Sequence, residues 1–297
     1  MKSARELNEY ILTCVSSAFV LLGACSTEAL AEQSKAGSGS FVFKTPQGKN
    51  DIRVWYYKPN SFNNTSQIVF VMHGVKRNGK EYRDAWLRHA ERGRFLLLVP
   101  EFSKMGYPCS TGYNLGNMFS SSGARNDEVL WCFTAVEDLF DYVKTITGSK
   151  AEAYSIYGHS AGAQFVQRLV MFKPNARIRT AIAANAGWYT MPTDTIAFPY
   201  GLKDSGTEMK SVSVSFGKNL IILLGDQDTN ENHKYLRKTA EAMKQGKHRF
   251  ARGHSFYKMA KRSSKEQKER LEWKLKVVPG IAHSNSGMSV HAARLLQ

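Results

Sequence analysis

The sequence is poor in cysteine, with four in 297 residues. No C-x-x-C pair occurs and no His/Cys spacing matches a zinc site, so neither a metal nor a cofactor is expected. A chain of this length buries a core large enough to fold without a disulfide or metal staple. It also lacks internal repeats and low-complexity tracts. With 42% hydrophobic and 11% aromatic residues it is neither wholly disordered nor fibrous. Its most apolar N-terminal run, residues 10–22, is shorter than the ~20 residues a membrane-spanning helix needs. Finally, it is short of acid. There are 25 Asp+Glu against 41 Lys+Arg, a formal net charge of +16. That excess suits an anionic partner, which would be nucleic acid, an envelope or membrane surface, or an acidic substrate; a solvated basic face accounts for it as well.

Residues 1–31 read as a targeting segment. Lys2 and Arg5 precede the apolar run, which has the length of a signal-peptide core. Two exits follow. Leu22-Gly23-Ala24-Cys25 resembles a lipobox, making Cys25 a lipidation candidate. Ala29-Leu30-Ala31 is an A-x-A cleavage site that leaves Glu32 at the new N-terminus. The alternative is a buried N-terminal helix. Residues 32–40, rich in Ser and Gly, read as a linker, and 41–297 as one folded domain. The expected location is therefore outside the cytosol: periplasmic, secreted or lipid-anchored at the envelope. In such a compartment Cys109 and Cys132 form a plausible disulfide; in the cytosol they would be two buried thiols.

The body alternates strands and helices. Strands are expected at 41–43, 52–57, 67–72, 95–99, 153–157, 178–184, 219–224 and 274–278. Helices are expected at 81–91, 128–146, 161–171, 234–244 and 256–273, with a last one from about 287. Such alternation implies an α/β fold with a mostly parallel central sheet and helices on both faces.

The strongest local signal is Gly158-His159-Ser160-Ala161-Gly162, a G-x-S-x-G placed between a strand and a helix. A sharp turn there lifts the Ser160 hydroxyl above the sheet and sets it at a helix N-terminus, where the N–H of Ala161 favours a developing oxyanion. A nucleophilic serine needs a base, and the base needs an orienting acid. Later strands end in Gly225-Asp226-Gln227-Asp228 and in Pro279-Gly280-Ile281-Ala282-His283. Their order predicts His283 as base and Asp228 as acid, with Asp226 the alternative acid and more suited to closing its turn. The loop Val71-Met72-His73-Gly74-Val75 offers the N–H of Val75 as second oxyanion donor.

These motifs resemble the α/β-hydrolase superfamily from about residue 38 to the end. GHSAGAQF at 158–165, ANAGWYTMP at 184–192, FPYGL at 198–202, GDQDT at 225–229 and HRFARG at 248–253 resemble bacterial exported esterases related to poly(3-hydroxyalkanoate) depolymerases. The resemblance implies a serine hydrolase cleaving carboxylic esters through an acyl-enzyme. An amidase or peptidase of the same fold, or a non-catalytic basic surface-binding protein, are the alternatives.

Residues 187–218 are too few for a large lid, so a small cap over an open cleft is expected. Trp188 and Tyr189 lie in that segment and would either wall an acyl group or pack the cap. Tyr107, Tyr113 and Met118, on the loop 104–126, should overhang the site. Residues 234–276 hold 15 Lys+Arg against 4 Asp+Glu, so most of the charge excess lies between the acid and histidine loops. No known nucleic-acid module is present and no aromatics interleave on a basic face, so nucleic acid is not an expected partner. An ester substrate and an anionic envelope or membrane surface are.

Overall fold

A computed structural model describes residues 35–47 and 50–296. The targeting segment 1–31, with Cys25, lies outside the described residues.

Eight strands form one sheet: β1 (Gly37–Phe43), β2 (Ile52–Lys58), β3 (Ile68–Met72), β4 (Leu96–Glu101), β5 (Tyr154–His159), β6 (Ile178–Ala184), β7 (Leu220–Gly225) and β8 (Lys274–Val278). Their order is β1-β2-β4-β3-β5-β6-β7-β8. The joins β1–β2 and β2–β4 are antiparallel and all others parallel. Every residue of β3, β5 and β7 is buried, as expected of strands covered on both faces.

The two-residue side-chain period sorts the core. Phe70, Ile156 and Ile222 face α2 (Cys132–Thr147), α3 (Ala161–Phe172) and α6 (Arg249–Glu266), which contribute Leu139, Phe165 and Phe256. Val69, Val71, Tyr157 and Ile182 face α1 (Gly79–Gly93) and α7 (Asn285–Arg294), which contribute Trp86 and Met288. Trp86 is fully buried, so its truncation to Ala should cost about 3–5 kcal/mol. Two short helices, α4 (Met209–Ser213) and α5 (Ala240–Gln245), complete the described set. Residues 187–218 form a small irregular cap that includes α4. Met191, Leu202, Val212 and Phe216 anchor it in the core, with no separate lid.

Five expectations change. The chain joins the sheet at Gly37, inside the expected linker 32–40, because Gly37 to Phe43 pair backbone to backbone with Lys58 to Ile52 and need no apolar side chains to do so. The helix expected at 256–273 runs over Arg249–Glu266 instead. The His248 side chain caps its start by accepting from Ala251 N–H. Past its end, Trp273 turns inward onto Phe216 and Phe256 and donates to Ser215 O. Of the helix expected at 234–244 only α5 forms, started by Thr239 accepting from Ala242 N–H.

The fourth change is the disulfide. Cys109 and Cys132 are both free, the first exposed and the second buried. Cys132 points into the core at the start of α2, where its thiol donates to Gly112 O at 3.2 Å. Arg77 instead pins the 104–126 loop. Its guanidinium donates to Phe102 O at 2.9 Å and Cys109 O at 2.8 Å, and lies 4.1 Å from the Tyr113 ring centre. Tyr107, Tyr113 and Met118 are buried rather than overhanging. Tyr113 stacks on His73 and Phe165 and donates its hydroxyl to His73 O.

Candidate active site

Parallel strands deliver their C-terminal loops to one edge of the sheet, where α/β folds bind ligands. The loops after β3, β5, β7 and β8 meet there. The turn after β5 is set by sterics. Ser160 sits at φ 59°, ψ −112°, between the last residue of β5 and the first of α3. Its N–H donates to Ala184 O at 3.0 Å. A Cβ on Gly162 would lie 2.0 Å from Met72 O, and one on Gly158 2.2 Å from Gly162 O. Neither position admits a side chain unless backbone moves, so the spacing of the two glycines around Ser160 has a direct cause.

Ser160, His283 and Asp228 come together. Asp228 ends the β7 loop and His283 the β8 loop, 55 residues apart in sequence. A carboxylate can only accept, so Nδ1–H of His283 donates to Asp228 Oδ2, at 2.7 Å. That leaves Nε2 as an acceptor for the Ser160 hydroxyl at 3.0 Å. The Asp228 side chain is 1% exposed and that of His283 14%, so one end of the chain is dry and the other opens to the cleft. Asp226 does not close its own turn: its carboxylate accepts from Gly280 N–H at 2.8 Å, in the loop after β8.

Ala161 opens α3, so its N–H has no partner within the helix. Val75 follows Gly74, whose Cβ position would lie 3.8 Å from Ser160 Cβ. Ala161 and Val75 line the cleft together with Ser160. Of the two aromatics, Trp188 lines the cleft, but Tyr189 does not. Tyr189 is fully buried, stacked on Phe256 at 4.5 Å, with its backbone tied to the Gln245 amide. The reason is tertiary: Phe256 of α6 offers Tyr189 a flat apolar surface, while Trp188 lies against Tyr200 and Arg237.

Four residues contribute beyond the predicted site: three went unread in the sequence, and His73 was expected only to pack or hydrogen-bond in its loop. Arg249, counted only as basic charge, is buried and pairs with Asp228 Oδ1 at 3.4 Å. Its Nη2 donates to Nδ1 of His233, which lines the cleft beside His283. Burial pushes the Arg249 guanidinium down from its ordinary range, against the pull of Asp228. Asn185 accepts from Gly225 N–H and donates to Ala282 O, joining the acid loop to the histidine loop. His159 packs 4.6 Å from the His283 ring, its Nδ1 accepting from the Tyr82 hydroxyl at 3.2 Å. Burial first, then the charges of His283 and Arg249, hold it well below the usual histidine range, so it stays neutral. His73 is held down to about 3, chiefly by burial; its Nε2 accepts from Phe102 N–H. All four lie inside stretches quoted above, but at positions whose residue type carried no role by itself.

No protein-family model matches the chain, and no curated protein matches its sequence. Solved structures do. Poly(aspartic acid) hydrolase-1 from Sphingomonas sp. KT-1 is 46% identical with a TM-score of 0.86, over 88% of this chain and 99% of its own. A poly(3-hydroxybutyrate) depolymerase from Bordetella parapertussis is 32% identical with a TM-score of 0.85, over 90% of this chain and 92% of its own. An S-formylglutathione hydrolase from Agrobacterium tumefaciens shares the fold at 13% identity, with a TM-score of 0.59 over 87% of this chain and 92% of its own.

Proposed function

Because the chain belongs to the α/β-hydrolase family, among relatives of poly(3-hydroxybutyrate) depolymerase and poly(aspartic acid) hydrolase, we propose that it is a serine hydrolase cleaving carboxylic esters on a Ser160–His283–Asp228 triad. The observation that carries this is the hydrogen-bonded chain from Ser160 Oγ through His283 to Asp228, opening on a cleft.

Ser160 Oγ attacks the ester carbonyl while His283 Nε2 takes its proton. Asp228 holds the imidazole in the required tautomer and stabilises its cation. The N–H groups of Ala161 and Val75 bind the oxyanion. His283 then protonates the departing alkoxide, leaving an acyl-enzyme on Ser160. Water, deprotonated by His283, attacks that acyl group, and the carboxylate product leaves. The backing Arg249 pairs with the other carboxylate oxygen of Asp228 and so helps fix the acid that orients His283.

A fluorophosphonate probe tests the nucleophile directly, since only an activated serine reacts. Labelling of the wild type and not of Ser160→Ala is expected. Equal labelling of both removes Ser160 from the role, and no labelling of either favours the non-catalytic binding protein.

One observation favours an amide substrate as a second reading. The relative sharing 46% identity is named for poly(aspartic acid), a polyamide bearing carboxylates, and the cleft here is lined by Lys76, Lys234 and Arg237. Matched ester and amide substrates separate the two, because an amine leaves only when protonated. Export belongs to the same proposal, with the lipobox at Cys25 or the cleavage site after Ala31 as its signal. Mass spectrometry of the mature N-terminus distinguishes them. The exposed lysines of α6, including Lys258, Lys261 and Lys265, suit an anionic envelope surface, and such binding should weaken steeply with salt.

A further inference from the structure

We propose that the cleft contains a carboxylate-binding subsite for the acyl side of the substrate, and that Arg237 selects for it. The assignment rests on the serine-hydrolase function proposed above and adds the charge of the acyl group.

Ser160 divides the cleft. A lobe of about 440 Å³ holds His283, and a lobe of about 210 Å³ holds Ala161 but not His283. His283 Nε2 must reach the departing atom to protonate it, so the leaving group occupies the larger lobe. The acyl chain lies on the other side of the carbonyl carbon and enters the smaller one. Trp188 and Arg237 line that lobe, together with Ser110, Asn114 and Gln164. No acidic side chain lines it.

The indole of Trp188 is shared by two cations. The Arg168 guanidinium lies 4.3 Å from it and that of Arg237 4.7 Å. Among the described residues, neither arginine takes part in an ion pair. Arg168 is committed to the fold. It donates to Thr190 Oγ1 at 2.8 Å and to the carbonyls of Asn114 and Gln164 at 3.1 and 3.0 Å. Arg237 makes only ring contacts with its guanidinium, to Trp188 and to Tyr200, and its buried Nε has no acceptor. Its backbone is held by Arg252, which donates to Arg237 O at 2.8 Å.

Two neighbouring cations with no counter-charge, one of them fully buried, are electrostatically unfavourable. Burial, then the charge of Arg237, lowers Arg168 to about 9. A substrate carboxylate supplies the missing charge. The planar fork of Arg237 can take it through paired N–H donors while the indole fixes the plane of the guanidinium. Arg249 contrasts with this pair: as buried as Arg168, it has Asp228 as its partner.

The test compares monomethyl succinate with methyl butyrate, which differ by a carboxylate in place of a terminal methyl. Hydrolysis is followed by pH-stat for the wild type, Arg237→Gln and Arg237→Lys. Succinate is also titrated calorimetrically into Ser160→Ala and into Ser160→Ala/Arg237→Gln. The wild type should prefer the succinyl ester. Arg237→Gln should lower the succinyl-to-butyryl ratio of kcat/KM by about tenfold or more, mainly through KM, and Arg237→Lys should keep part of the preference. Succinate should bind Ser160→Ala and not the double variant. A preference that survives Arg237→Gln, or succinate binding indifferent to Arg237, overturns the subsite. If neither ester is hydrolysed but succinate binding still depends on Arg237, the subsite stands and the serine-hydrolase function falls.

Discussion

The turn after β5 and the loops after β7 and β8 supply one site by opposite means. Around Ser160 the geometry is local: two glycines without room for a Cβ, a positive φ, and a helix that starts at the next residue. Asp228 and His283 are held from a distance. Asn185 ties their loops together and Arg249 of α6 backs the acid. Short-range sterics can be written into five consecutive residues, whereas the second arrangement requires partners from separate parts of the chain.

Removing either partner of the Ser160–His283 hydrogen bond tests whether the two regions act as one. Ser160→Ala and His283→Ala should each lower kcat for a p-nitrophenyl ester by about 10⁶-fold. Activity near wild type in either variant would separate the regions. Within the second region, Asp228→Asn should cost about 10⁴-fold, through loss of the His283 tautomer. Asp226→Asn should cost far less, because its carboxylate serves the Gly280 turn. The reverse order of effects would make Asp226 the acid.

The two buried histidines behind Ser160 have a pH signature. His73 is held neutral, down to about 3, and His159 well below its ordinary value, both mainly by burial. Their folded pKa values lie below the unfolded value near 6.5, so the unfolded chain binds more protons on acidification. Their contribution to stability is complete above pH ~6.5 and is lost as pH falls below it, by up to about 1.4 kcal/mol per unit for each group. Chemical denaturation between pH 7 and 4 measures the slope, and a flat profile would mean the two rings are hydrated.

Smaller effects separate sterics from flexibility. Gly162→Ala should destabilise by about 1–3 kcal/mol through its clash with Met72 O. Gly217→Ala, with open space at its Cβ position, should not, and equal melting temperatures for the two would argue against a steric elbow. Smallest of all, Cys109→Ser should change stability by less than about 0.5 kcal/mol, with or without reductant, since the loop is held by Arg77 and not by a disulfide.

The sequence alone determined the alternation of strands and helices, the parallel sheet and the Ser160 turn, because apolar period and steric exclusion act over neighbouring residues. It also named Asp228 and His283, since each follows a strand whose C-terminal end points to the same edge. Tertiary structure decided which aromatic meets the cleft. Trp188 and Tyr189 are adjacent and chemically alike, yet only the position of Phe256 sends one inward. It left Cys109 and Cys132 apart, one at the surface and one in the core. It also divided the basic stretch, which composition presented as one surface. Arg249 and Arg252 are buried, the first paired with Asp228 and the second bonded to carbonyls, while the lysines of α6 stay in water. Charge is counted along the chain, but its partners are found only in space, and whether a cation is solvated, paired or left waiting for a ligand depends on those partners.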